Sequence, residues 1–449
     1  MKSISLTKGL DVPIAGSPEL TVTSSKTVRH VALIGDDYPG MKPTMLVKVG
    51  DKVRAGQPLF EDKKSPGVFF TAPGSGEIAA INRGKKRKFE SIIIELNNED
   101  PLNFCNPESN PAELGAGVLR DIIIKSGLWT SFRTRPYGKV PSIDTNPASL
   151  FITAMDTTPL APDLEGIIDL GRNDFLIGIN ALQSFVETAN IFICTAPEQQ
   201  ALTEEPPGTK LVSFGGPHPA GLPSTHIHFL DPVNESKTVW HIEAQDVIGI
   251  GFLLRTGRIP MEKIIALSGS GVTNPRHIRT RIGASLRELC VDETTGEDLR
   301  VLSGSVLDGR EACDMLAYLG RYHQQLCCIP EGTGRQFFGW LRPGNDRFSV
   351  TRAFLSSFLK PSNMVLDTAV WGGDRAIFPL GTYEKVMPLD VEPIYLLKSL
   401  ASGNTEKAKA LGCLELVEED LALCSYVCPG KNDFGRLLRQ TLTSIETDG

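Results

Sequence analysis

The chain has 449 residues, 22% of them charged and 41% hydrophobic, a balance typical of globular proteins and sufficient for about three domains. Its formal net charge of −7 argues against nucleic acid as a partner, because phosphate binding favours a basic surface. The sequence shows no apolar run of membrane-spanning length and no secretion signal, and its nine cysteines have no regular spacing, so we expect a cytoplasmic protein with reduced thiols.

Residues 47–96 predict a barrel-sandwich module of the biotinyl/lipoyl type, within a first domain at residues 1–100 that includes an N-terminal extension. Short alternating apolar runs are separated by glycines at turn positions, which is typical of tight β-hairpins. Modules of this type often carry a modified lysine at an exposed hairpin tip. The equivalent tip here, residues 61–67, offers Lys63 and Lys64 without flanking methionines, so an unmodified docking module is favoured over a carrier.

A compact basic run lies at the turn of a predicted hairpin in the same module, at residues 83–88. Two interpretations remain open for it. The run is either a solvated turn, or a contact with an acidic partner or with anionic lipid headgroups. As the candidate docking surface it comprises four basic side chains: Arg83, Lys85, Lys86 and Arg87.

Residues 101–139 predict a linker and one helix, with Pro111 near the start of the helix and Gly127 at its end. The aromatic and basic residues that follow have neither a helical nor a strand period, which indicates a loop. Trp129 and Phe132 would anchor this loop. The neighbouring arginines, Arg133 and Arg135, would then be free to hold an anion or a nearby carboxylate.

Residues 140–257 predict a Rossmann-like α/β domain, because two short apolar strands at 150–155 and 190–195 flank a helical pattern at 174–188. After the first strand the chain continues as Asp-Thr-Thr-Pro-Leu-Ala-Pro over residues 156–162. This stretch lacks the glycines that let a dinucleotide pyrophosphate approach a helix N-terminus. We therefore expect no NADH site in this chain.

The segment 215–229 holds three of the seven histidines, His218, His226 and His228. On a strand, His226 and His228 would project to one face and could bind a metal with His218, but no cysteine or carboxylate stands nearby, and we assign no metal site. Two further interpretations remain open. The glycine-rich loop presents histidine donors to a neighbouring subunit or to a quinone, or the histidines satisfy local backbone groups.

The remaining chain predicts two more domains. Strand, turn, strand and short helix follow one another in residues 258–335, an order that resembles the soluble-ligand-binding β-grasp (SLBB) family. Residues 336–449 predict a mainly helical domain, with helical patterns at 392–400, 406–411 and 434–445. Cys424 and Cys428 resemble a fragment of a ferredoxin motif, but a four-iron cluster needs four thiolates, and we assign none. No catalytic residue can be named.

Five segments spread along the chain closely resemble NqrA, the A subunit of the bacterial sodium-translocating NADH:quinone reductase: residues 8–16, 59–64, 127–130, 215–221 and 423–431. That family is related to the C subunit of Rnf-type electron-transport complexes and to the flavin-bearing NADH subunit of respiratory complex I. The resemblance implies the same order of domains in a chain that has lost the flavin, nucleotide and iron–sulfur sites of these relatives.

The resemblance also implies a peripheral location on the cytoplasmic face of the bacterial inner membrane, among five partner subunits and docked on the membrane-embedded B subunit (NqrB). Ubiquinone would be the substrate of the whole complex, with FMN, riboflavin and iron–sulfur centres in other subunits and no redox cofactor in this one. Two roles remain open for the chain itself. It is a structural cap, or it contributes to the quinone site through the candidate residues Trp129, Phe132, His218, His226 and His228.

Overall fold

The computed structural model of the protein describes residues 2–24, 26–97, 100–106, 114–186, 190–202, 204–332, 341–373 and 375–448. Along these ranges the chain forms a two-sheet sandwich, an α/β sheet, a second mixed sheet and a helical end. One hydrophobic core runs through the first three parts, and the helical end has a core of its own. No helix of the described residues is long and apolar enough to span a bilayer.

The N-terminal part consists of short strands, as the alternating apolar pattern predicts. They are β1 (Lys2–Ser5), β2 (Glu19–Ser24), β3 (His30–Ile34), β4 (Pro43–Met45), β5 (Lys52–Val53), β6 (Pro58–Asp62), β7 (Phe69–Thr71), β8 (Gly76–Arg83) and β9 (Phe89–Leu96). One antiparallel sheet has the order β3-β9-β8-β5 and the other β4-β6-β7. Phe60 stacks on Phe70 between the sheets, with ring centroids 4.6 Å apart. The barrel-sandwich prediction is confirmed.

Helix α1 (Ala116–Lys125) and strand β10 (Arg133–Arg135) connect the sandwich to the α/β sheet. The helix ends as predicted, because Gly127 adopts a left-handed conformation with φ of 80°, which a residue without a Cβ takes up without strain. The predicted start of this helix near Pro111 lies outside the described residues, and α1 is described from Ala116 onward.

The α/β part contains β11 (Leu150–Thr153), α2 (Leu164–Leu170), α3 (Arg172–Leu182), β12 (Ile191–Thr195), β13 (Thr209–Gly215), α4 (Pro223–Leu230), β14 (Val239–Glu243) and α5 (Ala244–Thr256). Its sheet has the order β1-β13-β12-β11-β14-β10, and only β10 is antiparallel to its neighbour. The two predicted apolar strands are confirmed as β11 and β12, each buried along its whole length. The helix between them ends at Leu182, earlier than predicted, because the chain tightens into a 3-10 turn at Gln183–Phe185.

The second mixed sheet follows, with β15 (Glu262–Ser268), β16 (Arg276–Arg281), α6 (Leu286–Cys290), β17 (Leu299–Ser303), β18 (Arg310–Glu311) and β19 (Gln325–Pro330). The predicted order of strand, turn, strand and short helix is confirmed by β15, β16 and α6. The sheet order is β18-β17-β19-β15-β16-β2. Because β1 pairs with β13 and β2 with β16, the N-terminal extension adds an edge strand to each of the two large sheets.

The helical end contains α7 (Ser356–Leu359), α8 (Thr382–Val386), α9 (Pro393–Ala401), α10 (Thr405–Ala410), α11 (Ala422–Val427) and α12 (Phe434–Asp448). Helices α9, α10 and α12 confirm the three helical patterns of the sequence. Their apolar faces meet in a separate core that includes the fully buried Leu396, Leu397 and Phe434.

Candidate functional site

The strand order of the α/β sheet reverses between β11 and β14, which leaves a crevice at the carboxyl ends of these two strands. In open parallel sheets, ligands bind in this crevice. Glu243 is the last residue of β14, and Asp156 lies just beyond the end of β11. Both side chains line a cavity at this edge of the sheet.

The cavity has a volume of about 370 Å³ and a strongly charged wall. All four parts of the chain contribute to it, with Asp37 from the sandwich, Arg135, Asp156 and Glu243 from the α/β part, Asp308 from the second sheet and Glu419 from the helical end. Burial raises the pKa of Asp156 above its usual range. The hydroxyl of Thr153, another residue at this wall, is fully buried and has no hydrogen-bond partner among the described residues.

Arg135 is the most buried charged side chain at this wall, with 0% of its side chain exposed. Its guanidinium donates to Ser224 Oγ at 3.0 Å and to Glu419 Oε1 at 3.1 Å, and it lies 2.8 Å from His241 Nε2. Burial and the adjacent arginine lower the pKa of His241, so this ring is neutral and accepts the hydrogen bond. The expectation that Arg135 holds a nearby carboxylate is therefore confirmed.

Asp37 links the sandwich to the second sheet at the same junction. Its carboxylate accepts from Arg310 Nη1 at 2.6 Å and from the Arg321 backbone N–H at 2.7 Å. The Arg321 guanidinium in turn donates to Asp246 at 2.7 Å and to Ser131 at 2.7 Å. Charge-assisted bonds of this kind are stronger than neutral ones, so the walls of the cavity are held in fixed positions.

A second cavity, a cleft of about 520 Å³, opens between the α/β part and the second sheet. Nine apolar and nine charged residues line it, and the apolar Leu170 at its edge is 62% exposed. Its floor is charged and contains Glu243, Lys263 and Arg321. Small-molecule sites usually combine apolar surface with converging polar groups, and the cleft offers both.

Glu243 lines both cavities, so this charged residue lies in the partition between the polar cavity and the cleft. The side chain of Glu243 is 13% exposed and lies 3.8 Å from Arg133. Lys263 Nζ donates to the backbone carbonyl oxygens of His323 at 2.8 Å and Arg321 at 3.4 Å. Burial raises the pKa of Glu243 and lowers the pKa of Lys263. The positive charge of Lys263 lowers the pKa of Glu243, and the negative charge of Glu243 raises the pKa of Lys263, so each charge partly offsets the effect of burial on its neighbour.

Trp129 and Phe132, the aromatic residues that the sequence suggested for quinone binding, have 0% of their surface exposed. Their rings lie 5.4 Å apart and each lies 5.4 Å from Trp240, in the main core. The Trp129 indole Nε1 donates to the Pro141 carbonyl at 2.8 Å. Neither side chain lines the polar cavity or the cleft.

The strand expected at His226 and His228 is wrong, because both residues lie on α4, where residues two apart do not share a face. His226 is fully buried and its Nε2 donates to the Ala220 carbonyl at 3.0 Å, while burial lowers its pKa to about 3. His228 accepts from the Asp390 backbone N–H at 3.0 Å, so its Nδ1 donates to Glu415 at 2.8 Å.

His218 lies 3.2 Å from Thr157 Oγ1, and burial lowers its pKa to about 4. The structure therefore does not bring the three histidines to one point, since each of them has different partners. The described residues hold no group of three or more side chains that could bind a metal ion together.

The candidate docking run lies at the tip of the hairpin that joins β8 to β9. Arg83, Lys85, Lys86 and Arg87 are all exposed, and Lys88 beside them pairs with Asp36. At the hairpin tip that would carry a modified lysine, Lys63 and Lys64 are both exposed. Lys64 shares a cavity of about 860 Å³ with residues of the linker, among them Lys139.

Cys424 and Cys428 are buried in the helical end. Burial raises the pKa of Cys424 to about 12. Burial acts in the same direction on Cys428, but hydrogen bonds from Tyr383 at 3.2 Å and Asn432 at 3.3 Å outweigh it and lower the pKa of this thiol.

The partition residues Glu243 and Lys263 were not among the candidates suggested by the sequence. One available signal was the rule that ligands bind beyond the carboxyl ends of parallel strands, which applies to Glu243 once β14 is recognised. Lys263 carries no such signal, because its place at the cleft depends on how the second sheet docks against α5.

Family models of NqrA match three stretches: the N-terminal barrel-sandwich hybrid domain over residues 4–97, the second alpha/beta domain over 114–259 and the C-terminal domain over 264–314. The A subunit of the Na(+)-translocating NADH-quinone reductase of Neisseria meningitidis serogroup B is 50% identical over 448 residues, 99% of this chain and 100% of that protein. The protein of the same name from Actinobacillus pleuropneumoniae serotype 5b is 48% identical over 449 residues, with the same coverage. A solved NAD+-reducing [NiFe]-hydrogenase covers 52% of each chain at 11% identity with a TM-score of 0.36, too distant a likeness to support an inference.

Proposed function

The chain belongs to the NqrA family, the A subunits of Na(+)-translocating NADH-quinone reductases, and from this membership we propose that it is the peripheral subunit docked on the membrane-embedded B subunit. In this role it lies at the cytoplasmic face of the bacterial inner membrane, among five partner subunits. FMN, riboflavin and the iron–sulfur centres belong to other subunits. The chain supplies binding surfaces to the complex and no redox centre.

The chain also contributes to binding of ubiquinone, the substrate of the complex, and its part of that site is the cleft between the α/β part and the second sheet. A quinone combines a ring bearing two carbonyl oxygens with an apolar tail. The cleft offers apolar side chains such as Ile248 and Phe252 to a tail, and the ammonium of Lys263 and the carboxyl group of Glu243 to ring oxygens. This combination of apolar side chains with the buried charged groups of Glu243 and Lys263 in one cleft is the observation that carries the proposal.

The chemistry of the floor suits both states of such a ligand. Lys263 uses two of its donors on backbone carbonyls, and an ammonium has three, so one remains for a quinone oxygen. The raised pKa of Glu243 brings its titration toward neutral pH, so this group can donate to a carbonyl oxygen or accept from a quinol hydroxyl. The polar cavity on the other side of Glu243 gives that carboxyl group a route to water.

A purely structural role is the second candidate, and a specific observation favours it. The five residues first assigned to quinone binding all serve the fold, as core rings or as histidines bound to their own chain. In this alternative the cleft takes no ligand, and the junction at Asp37 and Arg321 serves only to fix one part of the chain to another.

Calorimetric titration of the purified chain with a short-tailed ubiquinone separates the two candidates. We expect saturable binding that weakens about tenfold in Leu170→Glu, because that change replaces exposed apolar surface at the edge of the cleft by a carboxylate, at a cost of about 1.4 kcal/mol. Leu176→Glu is the matched control, since Leu176 is 42% exposed and lies outside the cleft. Absence of saturable binding, or equal weakening in both variants, would leave only the structural role.

A further inference from the structure

Residues 341–373 and 375–380, the apolar segment, carry an unusual amount of exposed apolar surface. Of the nineteen large apolar side chains that stand out as exposed among the described residues, nine lie in this segment, although it is less than a tenth of the chain. The most exposed are Phe358 at 77%, Val370 at 70% and Val365 at 65%. Exposed apolar residues scattered singly need no explanation, but such a concentration marks an interaction surface.

Side-chain contacts join separate stretches of the segment to one another and to the helical end. The Arg347 guanidinium lies 4.4 Å from the ring centroid of Trp371 and 5.8 Å from that of Phe354. Phe348 stacks on Tyr426 of α11, with centroids 6.4 Å apart. The segment is therefore held against the helical end while other apolar side chains remain exposed.

Backbone pairing also attaches the segment to the N-terminal extension. The Met364 N–H donates to the Pro13 carbonyl at 2.7 Å, and the Ala15 N–H donates to the Met364 carbonyl at 2.8 Å. Because the segment is held both against the helical end and against the N-terminal extension, its exposed apolar side chains keep a defined position.

The exposed apolar area of the segment, summed over its side chains, is of the order of a protein interface. Phe358, Trp371 and Phe378 are 77%, 57% and 54% exposed, which corresponds to roughly 400 Å² of ring surface at 150–250 Å² for each buried aromatic side chain. The largest apolar patch of a monomer is typically about 300–600 Å². With the six aliphatic side chains added, the segment approaches the roughly 800 Å² that each partner buries in a stable complex.

Charge distinguishes the segment from the rest of the chain. Residues 341–380 contain five basic and three acidic residues, whereas the whole chain has 46 basic and 53 acidic residues. The surface is thus apolar and net basic on an acidic protein, and its complement is an apolar face with an acidic rim.

We propose that the apolar segment is the surface that docks on the membrane-embedded partner of the complex, on an apolar, net acidic part of its cytoplasmic face. This inference rests on the proposed function. A protein partner is favoured over the bilayer because the four-residue helix α7 is the only regular element among the described residues of the segment. Irregular backbone leaves peptide groups that a neighbouring protein can bond and that hydrocarbon cannot. The segment thereby replaces the hairpin at 83–88 as the main contact.

The experiment uses the whole complex, with a tag on the membrane-embedded partner, and measures how much of the chain co-purifies. The test variant is Phe358→Ser/Trp371→Ser. The matched control is Leu20→Ser/Val49→Ser, because these side chains are also exposed, at 73% and 56%, and lie outside the segment. A third variant, Lys85→Glu/Lys86→Glu, reverses charge in the hairpin. Denaturation midpoints of the purified variants show whether each one is folded, and we expect them to stay close to that of the wild type because the substituted side chains are exposed.

We expect the amount of the segment variant that co-purifies to fall at least about tenfold below that of the wild-type chain. The control and hairpin variants should co-purify at the wild-type level. Retention of the segment variant at the wild-type level overturns the inference and leaves the proposed function standing. Failure of the wild-type chain to co-purify removes the proposed function itself. Sedimentation with phosphatidylglycerol vesicles tests the remaining alternative, that the segment binds lipid. The inference is overturned in favour of lipid if the wild-type chain binds the vesicles and the segment variant does not, while that variant still co-purifies with the membrane-embedded partner.

Discussion

Replacing Lys263 by methionine tests whether the partition between the two cavities is an electrostatic pair. Methionine keeps most of the length of the lysine side chain but removes the ammonium that donates to the carbonyls of His323 and Arg321. Each lost hydrogen bond costs about 0.5–1.5 kcal/mol, so the loss of two removes about 1–3 kcal/mol of stability at any pH. A further loss arises wherever Glu243 is ionised, because its carboxylate is then buried without one of the cations that stabilise it.

The second loss depends on pH in a defined direction. Burial already raises the pKa of Glu243, and the charge of Lys263 acts against that rise. Without the lysine the pKa of Glu243 rises further. A carboxyl group with a raised pKa contributes its stability at low pH and loses it as pH rises through the folded value. The cost of Lys263→Met should therefore be about 1–3 kcal/mol at pH 5.5, and at pH 8.5 it should be larger by about 1.4 kcal/mol for each unit by which the pKa of Glu243 rises further.

Urea denaturation followed by tryptophan fluorescence measures both values. The double variant Glu243→Gln/Lys263→Met removes both charges, and we expect it to recover most of the pH-dependent part, because an uncharged pair leaves no buried ion. A cost that is equal at the two pH values, or a double variant that retains the pH dependence, would refute the electrostatic reasoning and reduce Lys263 to a simple backbone hydrogen-bond donor.

Three further predictions concern stability and are also measured by denaturation. Arg135→Met should cost about 3–5 kcal/mol, because Glu419 loses its buried partner, and adding Glu419→Gln should restore part of that loss; an additive cost would contradict the pairing. His226→Gln should flatten the fall of stability in acid. The depressed pKa of about 3 means that the wild type loses about 1.4 kcal/mol per pH unit below the unfolded value near 6.5, and an unchanged acid slope would contradict this. Gly251→Ala should destabilise by more than about 2 kcal/mol, since its Cβ would lie 1.7 Å from the Asp174 carbonyl oxygen, whereas Gly117→Ala in open space on α1 should stabilise by about 0.5–1 kcal/mol.

Local patterns in the sequence predicted regular elements wherever neighbours along the chain decide the conformation. Strands β11 and β12 are continuous apolar runs, and helices α9, α10 and α12 have a helical apolar period, so each appears where it was predicted. The alternation of polar and apolar residues at 225–229 misled the same reasoning, because it suits a strand as well as a helix. Pro223 at the first turn starts helix α4, and Ile227 is buried on it.

The order of these elements, the missing glycine fingerprint and the motifs that resemble NqrA could all be read from the amino-acid sequence. The site could not. Glu243 and Lys263 come from different sheets, and Asp37, Arg135, Asp308 and Glu419 reach one cavity from four parts of the chain. Folding in three dimensions brings them together, and the pKa of each group depends on which distant segments exclude water from it. The same reason explains why Trp129 and the buried histidines, which resembled ligand-binding residues in the sequence, lie in or against the core.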